Sequence, residues 1–420
     1  MKVVVIGAGL IGMQTAYFLH QEGHEVTVIE KREGPALETS RANGGLITPS
    51  HAAPWNSPGI WKVLLQGLGR ADSAFFVKPS AIHQYIGWGL RFIRNSSSAR
   101  FKRTIARNAN LAQYSIGEFR KLCNELELSF DRGQGGTMFV YRNKKSMEEA
   151  YKALSVAAES GVQIERCDTD RLLEKEPALR AVEDKLVGGY YFKNDEHGDA
   201  HLFVKALSDH LVKNGIEFKY GETVEGFEQD KNRVKAVVTS CGRVKADAFV
   251  IATGPWSPHL SKLLGMRAPV KPVKGYSITF DASSWEKRPK IPVVDDDLHL
   301  GLTPLGSTIR LVGTAEFSGY DDSTNQPRLD SILKAGLSVY PELKQHIEGK
   351  DPILEWNGFR PMTPDCLPII NRCDCDNVIF NAGHSYLGWT TGTGTAKAVA
   401  DLISGNEPAI DLSNFSMNRF

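Results

Sequence analysis

The sequence predicts a mixed α/β (α+β) fold, and three glycine-marked strand–turn–helix passages predict it. Lys2–Ile6 reads as a buried strand, Gly7-Ala8-Gly9-Leu10-Ile11-Gly12 as a tight turn opening a helix, and Glu25–Glu30 as the next strand, ending in an acid. Phe249-Val250-Ile251 is a second apolar strand running into a glycine turn, Ala252-Thr253-Gly254. Near the end of the chain, Ala382-Gly383-His384 through Gly392 forms a glycine-rich loop that opens a third helix, ending in Ala396–Ile403. These passages are far apart in sequence. The simplest topology is one Rossmann-like nucleotide unit drawn from residues 1–60, 196–265 and 352–420, with residues 61–195 and 266–351 forming a second, mixed-sheet substrate unit with a helical cap.

The elements between them follow from periodicity. Ile11, Ala16 and Leu19 lie on one side of the first helix, which Gly23 ends. Residues 60–120 read as helical, with Ile82, Tyr85, Ile86, Phe92 and Ile93, then Leu111, Tyr114 and Phe119, at helix spacing. Thr137–Tyr141 is a strand by its β-branched and aromatic content. Asp199–Lys213 is an amphipathic helix with Leu202, Phe203, Ala206, Leu207 and Leu211 expected inside. Ile216–Tyr220, Val234–Thr239 and Ala248–Ala252 follow as strands, Lys271–Phe317 as strands and turns, and Leu329–Val339 as a helix.

Composition narrows the function. The chain has 420 residues, 50 Lys+Arg against 49 Asp+Glu, and a formal net charge of +1. That balance excludes nucleic-acid binding through global charge and suits a small charged metabolite. Cys123, Cys167, Cys241 and Cys366 stand alone, and Cys373-Asp374-Cys375 has no second pair at zinc spacing, so reduced thiols and no metal site are expected. Met1-Lys2 leads straight into a strand, and no apolar run reaches the roughly 18 residues of a spanning helix. The expectation is a cytoplasmic protein that is soluble or peripheral on a membrane.

The nucleotide chemistry is carried by the first passage. Gly7 permits the tight turn, Gly9 lets backbone approach a pyrophosphate, and Gly12 lets the helix pack on the strand. The helix start offers N–H groups and partial positive charge to phosphates, Leu10 and Ile11 among them. Glu30, with Lys31 beside it, suits ribose hydroxyls and repels a 2′-phosphate. The Thr253-Gly254 turn and the helix opening at Gly388-Trp389-Thr390-Thr391 favour FAD over a nicotinamide cofactor, because a flavin is enclosed along its length.

Further motifs carry a family likeness. Glu38-Thr39-Ser40-Arg41-Ala42-Asn43-Gly44-Gly45-Leu46-Ile47, Ala52–Gly59, Gly135-Gly136-Thr137, Lys274-Gly275-Tyr276-Ser277, Gly358-Phe359-Arg360-Pro361-Met362-Thr363-Pro364-Asp365 and Gly383-His384 with Leu387–Thr390 are involved. On these residues the chain, from residue 1 to about 415, resembles bacterial FAD-dependent D-amino-acid dehydrogenases of the D-amino-acid oxidase and glycine oxidase superfamily. The resemblance implies that Ser40, Ala42, Asn43, Gly44, Gly45 and Leu46 line the flavin pyrophosphate and ring. It implies that Val224 meets the adenine through its backbone and that Gly388 through Thr391 donate N–H groups to the flavin N1/O2 edge. Gly358 belongs to the shared stretch around Arg360, which matches the arginine that binds the substrate carboxylate. Ile370-Asn371 and Ser385-Tyr386 depart from the family pattern, and Tyr386 is expected to reshape the pocket.

The chemistry implied is hydride transfer from Cα to flavin N5, then hydrolysis of the imine to a 2-oxo acid and ammonia. That reaction needs positioning and charge more than a side-chain base. Arg360 suits bidentate carboxylate capture, the alternative being an ion pair with Asp365. Tyr276 is a second candidate for the same carboxylate, or a core tyrosine. His384 is a candidate contact to the ring or the amine, or satisfies backbone. Lys274 is expected in solvent, and His51 lies near the flavin loop in sequence. Residues 55–94 interleave Trp55, Trp61, Phe75, Phe76 and Trp88 with Lys62, Arg70, Lys78, Arg91 and Arg94. This pattern fits either a cap over the substrate site or a surface for an anionic membrane. The expected partners are a D-amino or imino acid and a quinone or other electron acceptor. Other readings are a dehydrogenase or oxidase of D-proline, D-hydroxyproline or sarcosine-like amines, and a flavoprotein subunit needing a partner.

Overall fold

A computed structural model describes residues 1–70, 73–372 and 375–420, so Cys373 of the Cys373-Asp374-Cys375 pair lies outside the described residues. Two sheets carry the fold. The first has six strands, in the order Ile369–Arg372, Val378–Ala382, Ala248–Ile251, Lys2–Ile6, Glu25–Glu30 and Glu217–Tyr220. Every neighbouring pair is parallel except the first. The central strands are buried on both faces, which is why they read as unbroken apolar runs. Val3 and Val5 pack with Met13, Ala16, Phe203, Leu207 and Val399 from the helices Leu10–Gln21, Ala200–Lys213 and Gly388–Ser404. Val4 and Ile6 point the other way, into a core with Val234, Val237 and Leu260. Val234 and Val237 belong to a three-stranded antiparallel sheet, Val224–Asp230, Arg233–Thr239 and Gly242–Lys245.

The second sheet runs Leu354–Met362, Lys271–Asp281, Thr308–Phe317, Leu300–Leu305, Val293–Asp295, Thr137–Tyr141, Gly188–Phe192 and Glu165–Cys167. Leu354–Met362 pairs along Lys271–Asp281 in continuous register, from Lys271 opposite Met362 to Thr279 opposite Leu354. This part of residues 352–420 therefore belongs by pairing to the mixed sheet. Arg310, buried on that sheet, reaches Asp199 (2.9 Å) and the carbonyl oxygen of Asn43 (3.2 Å). Asp199 in turn caps Ala200–Lys213, accepting from the N–H groups of His201 and Leu202. One arginine thus fixes the mixed sheet against the helical layer of the parallel sheet.

Several elements differ from expectation. Residues 60–120 are not helical throughout: Phe75–Val77 is a short strand paired with Ala315–Phe317, as its aromatic and β-branched side chains favour. The α-helices there are Ile60–Gln66, Ile86–Arg94 and Ser98–Leu126, with a 3-10 helix at Pro79–Gln84. In Ile86–Arg94, Trp88 and Phe92 face inward, whereas Ile86, Leu90 and Ile93 are 58%, 67% and 40% exposed. Leu202 is also exposed, because Phe203, Leu207 and Leu211 set the buried stripe and Leu202 sits about 100° away from Phe203. Among the described residues, no helix is long and apolar enough to cross a membrane, and no group of three His, Cys, Asp or Glu is placed to hold a metal ion.

Candidate active site

A cavity of about 540 Å³ runs between the two sheets. At one end it is walled by the glycine turn. Gly7 has φ +108°, and a Cβ there would sit 2.7 Å from the Ala252 carbonyl oxygen. A Cβ on Gly12 would collide with the Gly7 carbonyl oxygen, so this glycine sets the helix against the strand and does not face the cavity. Gly9 has only Ser40 Oγ near its Cβ position, at 3.5 Å, so backbone is open to the cavity there. Ser40 Oγ accepts from the Leu10 N–H (3.1 Å). Glu30 Oε2 accepts from the Ala8 N–H (2.8 Å) and Oε1 from the Arg32 N–H (2.9 Å), which aims the carboxylate along the turn.

Lys31 lies at the mouth of this end. Its ammonium pairs with Glu38 (2.9 Å) and sits 3.7 Å over the Trp256 ring. Burial raises the Glu38 pKa, but Lys31 and Arg32 outweigh it and hold the carboxyl below its ordinary range. Val224, Thr253 and Gly254 line the same end, and Ala42 through Leu46 line the middle. Asn43 Oδ1 accepts from the Gly45 N–H (3.0 Å), which shapes that loop.

The helix Gly388–Ser404 starts at the cavity, and its N-cap residue Leu387 makes no side-chain cap bond. Two helix N-termini, Leu10–Gln21 and Gly388–Ser404, therefore offer partial positive charge to one cavity. Gly388 and Trp389 line it, but Thr390 and Thr391 do not. Thr390 Oγ1 instead accepts from the Thr48 N–H (2.9 Å), and Thr391 Oγ1 donates to the Leu387 carbonyl oxygen (2.9 Å). Trp389 Nε1 is buried without a hydrogen-bond partner among the described residues. Open backbone at Gly9, an aimed acid and two converging helix ends fit an anionic dinucleotide.

The other end is aromatic and holds Arg360. Its Nη1 donates to the Thr314 carbonyl oxygen (3.2 Å), and the guanidinium lies 5.2 Å over the Trp55 ring. The ion pair with Asp365 does not form: Asp365 takes Arg419 through two bonds of 2.7 and 3.1 Å. Arg360 has no carboxylate partner among the described residues, and burial, then Arg328, lowers its pKa to about 10. A buried cation without a counter-ion is costly unless an anion arrives. Gly275 makes room for it, since a Cβ there would collide with the guanidinium.

Tyr276 and His384 line the cavity, but the Tyr276 hydroxyl and His384 Nε2 are committed elsewhere. The Tyr276 hydroxyl donates to Glu316 Oε2 (2.7 Å), so it does not share a carboxylate with Arg360; burial first, then Glu316, push it well above its ordinary pKa. Lys274 is 1% exposed rather than solvated, because its ammonium pairs with Glu316 (3.0 Å) and donates to the Ser323 carbonyl oxygen (2.8 Å). His384 Nε2 bonds Thr395 Oγ1 (2.9 Å), and burial lowers its pKa to about 3, so it is a neutral imidazole. His51 stands between Phe139 (4.6 Å) and Tyr386 (6.3 Å), with burial lowering its pKa to about 4.

Sequence reasoning flagged Trp55, Phe75 and Tyr386 in this wall but not their contacts, and it missed the rest. Tyr386 stacks on Trp55 (5.3 Å, 9° between planes), and Trp55 meets Phe75 edge-on (5.6 Å). Asp296 and His299 also face the cavity, and burial raises the Asp296 pKa. No motif marks these two residues; they are brought in by the pairing of Val293–Asp295 with Leu300–Leu305. Thr314, with φ +62°, supplies the carbonyl that holds Arg360, again without a sequence signal.

The comparisons with known proteins agree with this architecture. The FAD dependent oxidoreductase family matches residues 2–402. A D-amino acid dehydrogenase of Granulibacter bethesdensis is 36% identical over 421 residues, covering 100% of both chains. One from Paramagnetospirillum magneticum is 37% identical over 421 residues, covering 100% of this chain and 99% of the relative. Among solved structures, L-proline dehydrogenase from P. horikoshii superposes with a TM-score of 0.79 at 20% identity, covering 100% of this chain and 97% of the other. Glycine oxidase from Geobacillus kaustophilus does so at 0.77 and 20%, covering 100% and 98%; both share the fold. With its cavity built between a glycine-turn sheet and an arginine-bearing sheet, the chain belongs to the FAD dependent oxidoreductase family.

Proposed function

We propose that this protein oxidises a D-amino acid to its 2-oxo acid and ammonia, passing the electrons to a quinone or another acceptor. The observation that carries the reading is Arg360, a buried guanidinium with no carboxylate partner among the described residues, facing the cavity that both helix N-termini share. The curated relatives named D-amino acid dehydrogenase support the substrate class. We assign residues 1–60, 196–265 and most of 352–420 to the cofactor unit, and 61–195 and 266–351 to the substrate and cap unit. Gly7, Gly9, Leu10, Ile11, Glu30, Ser40, Ala42–Leu46, Val224, Thr253, Gly254, Gly388 and Trp389 would hold FAD, with Gly12 setting the approach of the first helix.

Bound FAD supplies the acceptor for the hydride leaving Cα. The chain supplies position and electrostatics. Arg360, anchored by one bond to Thr314, has N–H groups left for the two oxygens of a carboxylate. Trp55, Phe75 and Tyr386 exclude water around the carbon that reacts. The amine must be neutral for its lone pair to form the C=N bond as the hydride departs. Water then adds to the imine carbon and ammonia leaves. His384 and His51 are neutral near pH 7 and add no positive charge to this end.

We further place the protein at the cytoplasmic face of a membrane, where a quinone acceptor is available. The outward row Ile86, Leu90 and Ile93, flanked by Arg91 and Arg94, supports this. The test is anaerobic bleaching of the purified yellow protein by a panel of D-, L- and imino acids, followed by air. Bleaching by D-amino acids with slow reoxidation is expected. Bleaching by L- or imino acids alone, or fast reoxidation with peroxide, would overturn the reading.

A further inference from the structure

A second cavity, of about 270 Å³, lies away from the first, at the elbow between helices Ile86–Arg94 and Ser98–Leu126. Its wall carries six arginines: Arg91 and Arg94 from the first helix, Arg100, Arg103 and Arg107 from one face of the second, and Arg419 near the chain end. Among the described residues the one acidic side chain in the wall is Asp365, and both its oxygens are taken by Arg419. Arg100 donates to the Arg94 carbonyl oxygen (3.4 Å). Arg91, Arg94, Arg103 and Arg107 form no ion pair among the described residues. Arg107 is half-buried, and burial, then Arg103, lowers its pKa, with Asp365 and Asp411 offsetting only part. Like charges gathered around a pocket raise each other's cost and are relieved by an anion. Guanidinium forks match phosphate oxygens in geometry as well as charge.

The first helix tells which phosphate. Leu90 and Ile93 precede Arg91 and Arg94 directly, and with Ile86 they form an outward apolar row at i, i+4 and i+7. Its opposite face, Trp88 and Phe92, is already seated in the core. A soluble phosphate would use the arginines and leave this row in water. An anionic phospholipid uses both, with its headgroup in the pocket and its acyl boundary against Ile86, Leu90 and Ile93. We infer that the arginine pocket is a binding site for the phosphate headgroup of an anionic phospholipid. The inference rests on the membrane placement proposed above and gives it a defined site.

The experiment is co-sedimentation of the holoenzyme with phosphatidylcholine vesicles, with and without phosphatidylglycerol. The wild type should bind only the anionic vesicles. Arg94→Gln/Arg103→Gln, both exposed positions, should weaken that binding by roughly thirty-fold, at about fivefold for each arginine near the surface, while dye-linked turnover in solution is unchanged. Lys62→Gln/Lys102→Gln removes the same charge outside the pocket and should weaken binding far less. Equal losses in the two double variants would refute a site in favour of diffuse charge. Calorimetric binding of inorganic phosphate without vesicle binding would refute the lipid as occupant. Wild type that ignores both vesicles would refute the site and the membrane placement together. Vesicle binding without bleaching by D-amino acids would instead refute the substrate reading alone.

Discussion

Replacing Arg360 with methionine should make the protein more stable and nearly inactive. The two effects come from the same feature. Burial, then Arg328, lowers the guanidinium pKa to about 10, well below its ordinary range. A difference of that size corresponds to a destabilisation on the order of 3 kcal/mol. The sign follows from linkage: the folded pKa lies below the unfolded one, so the charged side chain costs stability at every pH below about 10. That cost is relieved only as pH rises above about 10 toward the ordinary guanidinium range. Methionine removes it but leaves the Thr314 carbonyl without its donor, worth about 1 kcal/mol, for a net gain of about 2 kcal/mol at pH 7. On the substrate side, two charge-assisted bonds of about 1.5–3 kcal/mol each disappear. The expected loss in kcat/KM for carboxylate substrates is therefore about 10²- to 10⁴-fold. Differential scanning calorimetry of the flavin-loaded proteins reads the first effect, and dye-linked turnover the second. A carboxylate analogue lacking the amine should raise Tm in the wild type and leave Arg360→Met unmoved. If the variant is less stable, or the analogue still raises its Tm, Arg360 is a structural cation and the carboxylate binds elsewhere.

Gly275→Ala should raise KM at least tenfold with the flavin spectrum intact, because the new Cβ displaces the Arg360 guanidinium; titration with substrate under anaerobic conditions reads this directly. Tyr276→Phe should cost about 1–3 kcal/mol in urea unfolding, since Glu316 loses a buried donor, while kcat changes by less than about threefold; a loss of turnover at unchanged stability would restore Tyr276 as a substrate contact. His384 and His51 titrate near 3 and 4 in the fold against 6.5 unfolded. Folding stability should therefore be flat with respect to these groups above pH 6.5 and fall as pH drops toward 4, as the unfolded chain takes up protons the folded one refuses. Neither imidazole should appear in the pH profile of kcat/KM between pH 5 and 8, and a limb there that His384→Gln removes would show that His384 moves a proton.

The readable half of the site is the half made of backbone. Gly7, Gly9 and Gly12 are legible because only glycine tolerates φ +108° at Gly7 or the approach at Gly12, and the reason for each is local to a few residues. The parallel strands are legible for a similar reason, since burial on both faces leaves an unbroken apolar run. The arginine end of the cavity is assembled by sheet pairing instead. Arg360 meets Thr314 across 46 positions, and Trp55 meets Tyr386 across a far longer stretch of chain. No window of sequence contains both members of either pair. Phe75–Val77 was hidden among helical spacings because its partner, Ala315–Phe317, is remote.

Tyr276 shows why side-chain chemistry alone cannot decide between a site and a core. By residue type Tyr276 suits either a carboxylate contact or a core position, and it does line the cavity, whereas Lys274, expected in solvent, is buried behind it. Glu316 decides the matter from the neighbouring strand: one carboxylate takes the Lys274 ammonium and the Tyr276 hydroxyl together. Arg328 approaches the same carboxylate at 4.0 Å. Glu316 thus answers Lys274 and Tyr276 on this side of the sheet, while Arg360, on the next strand, has no acid partner among the described residues. On the function proposed above, a substrate carboxylate would settle at Arg360. On that reading the mixed sheet would set specificity by what it satisfies internally as much as by what it presents.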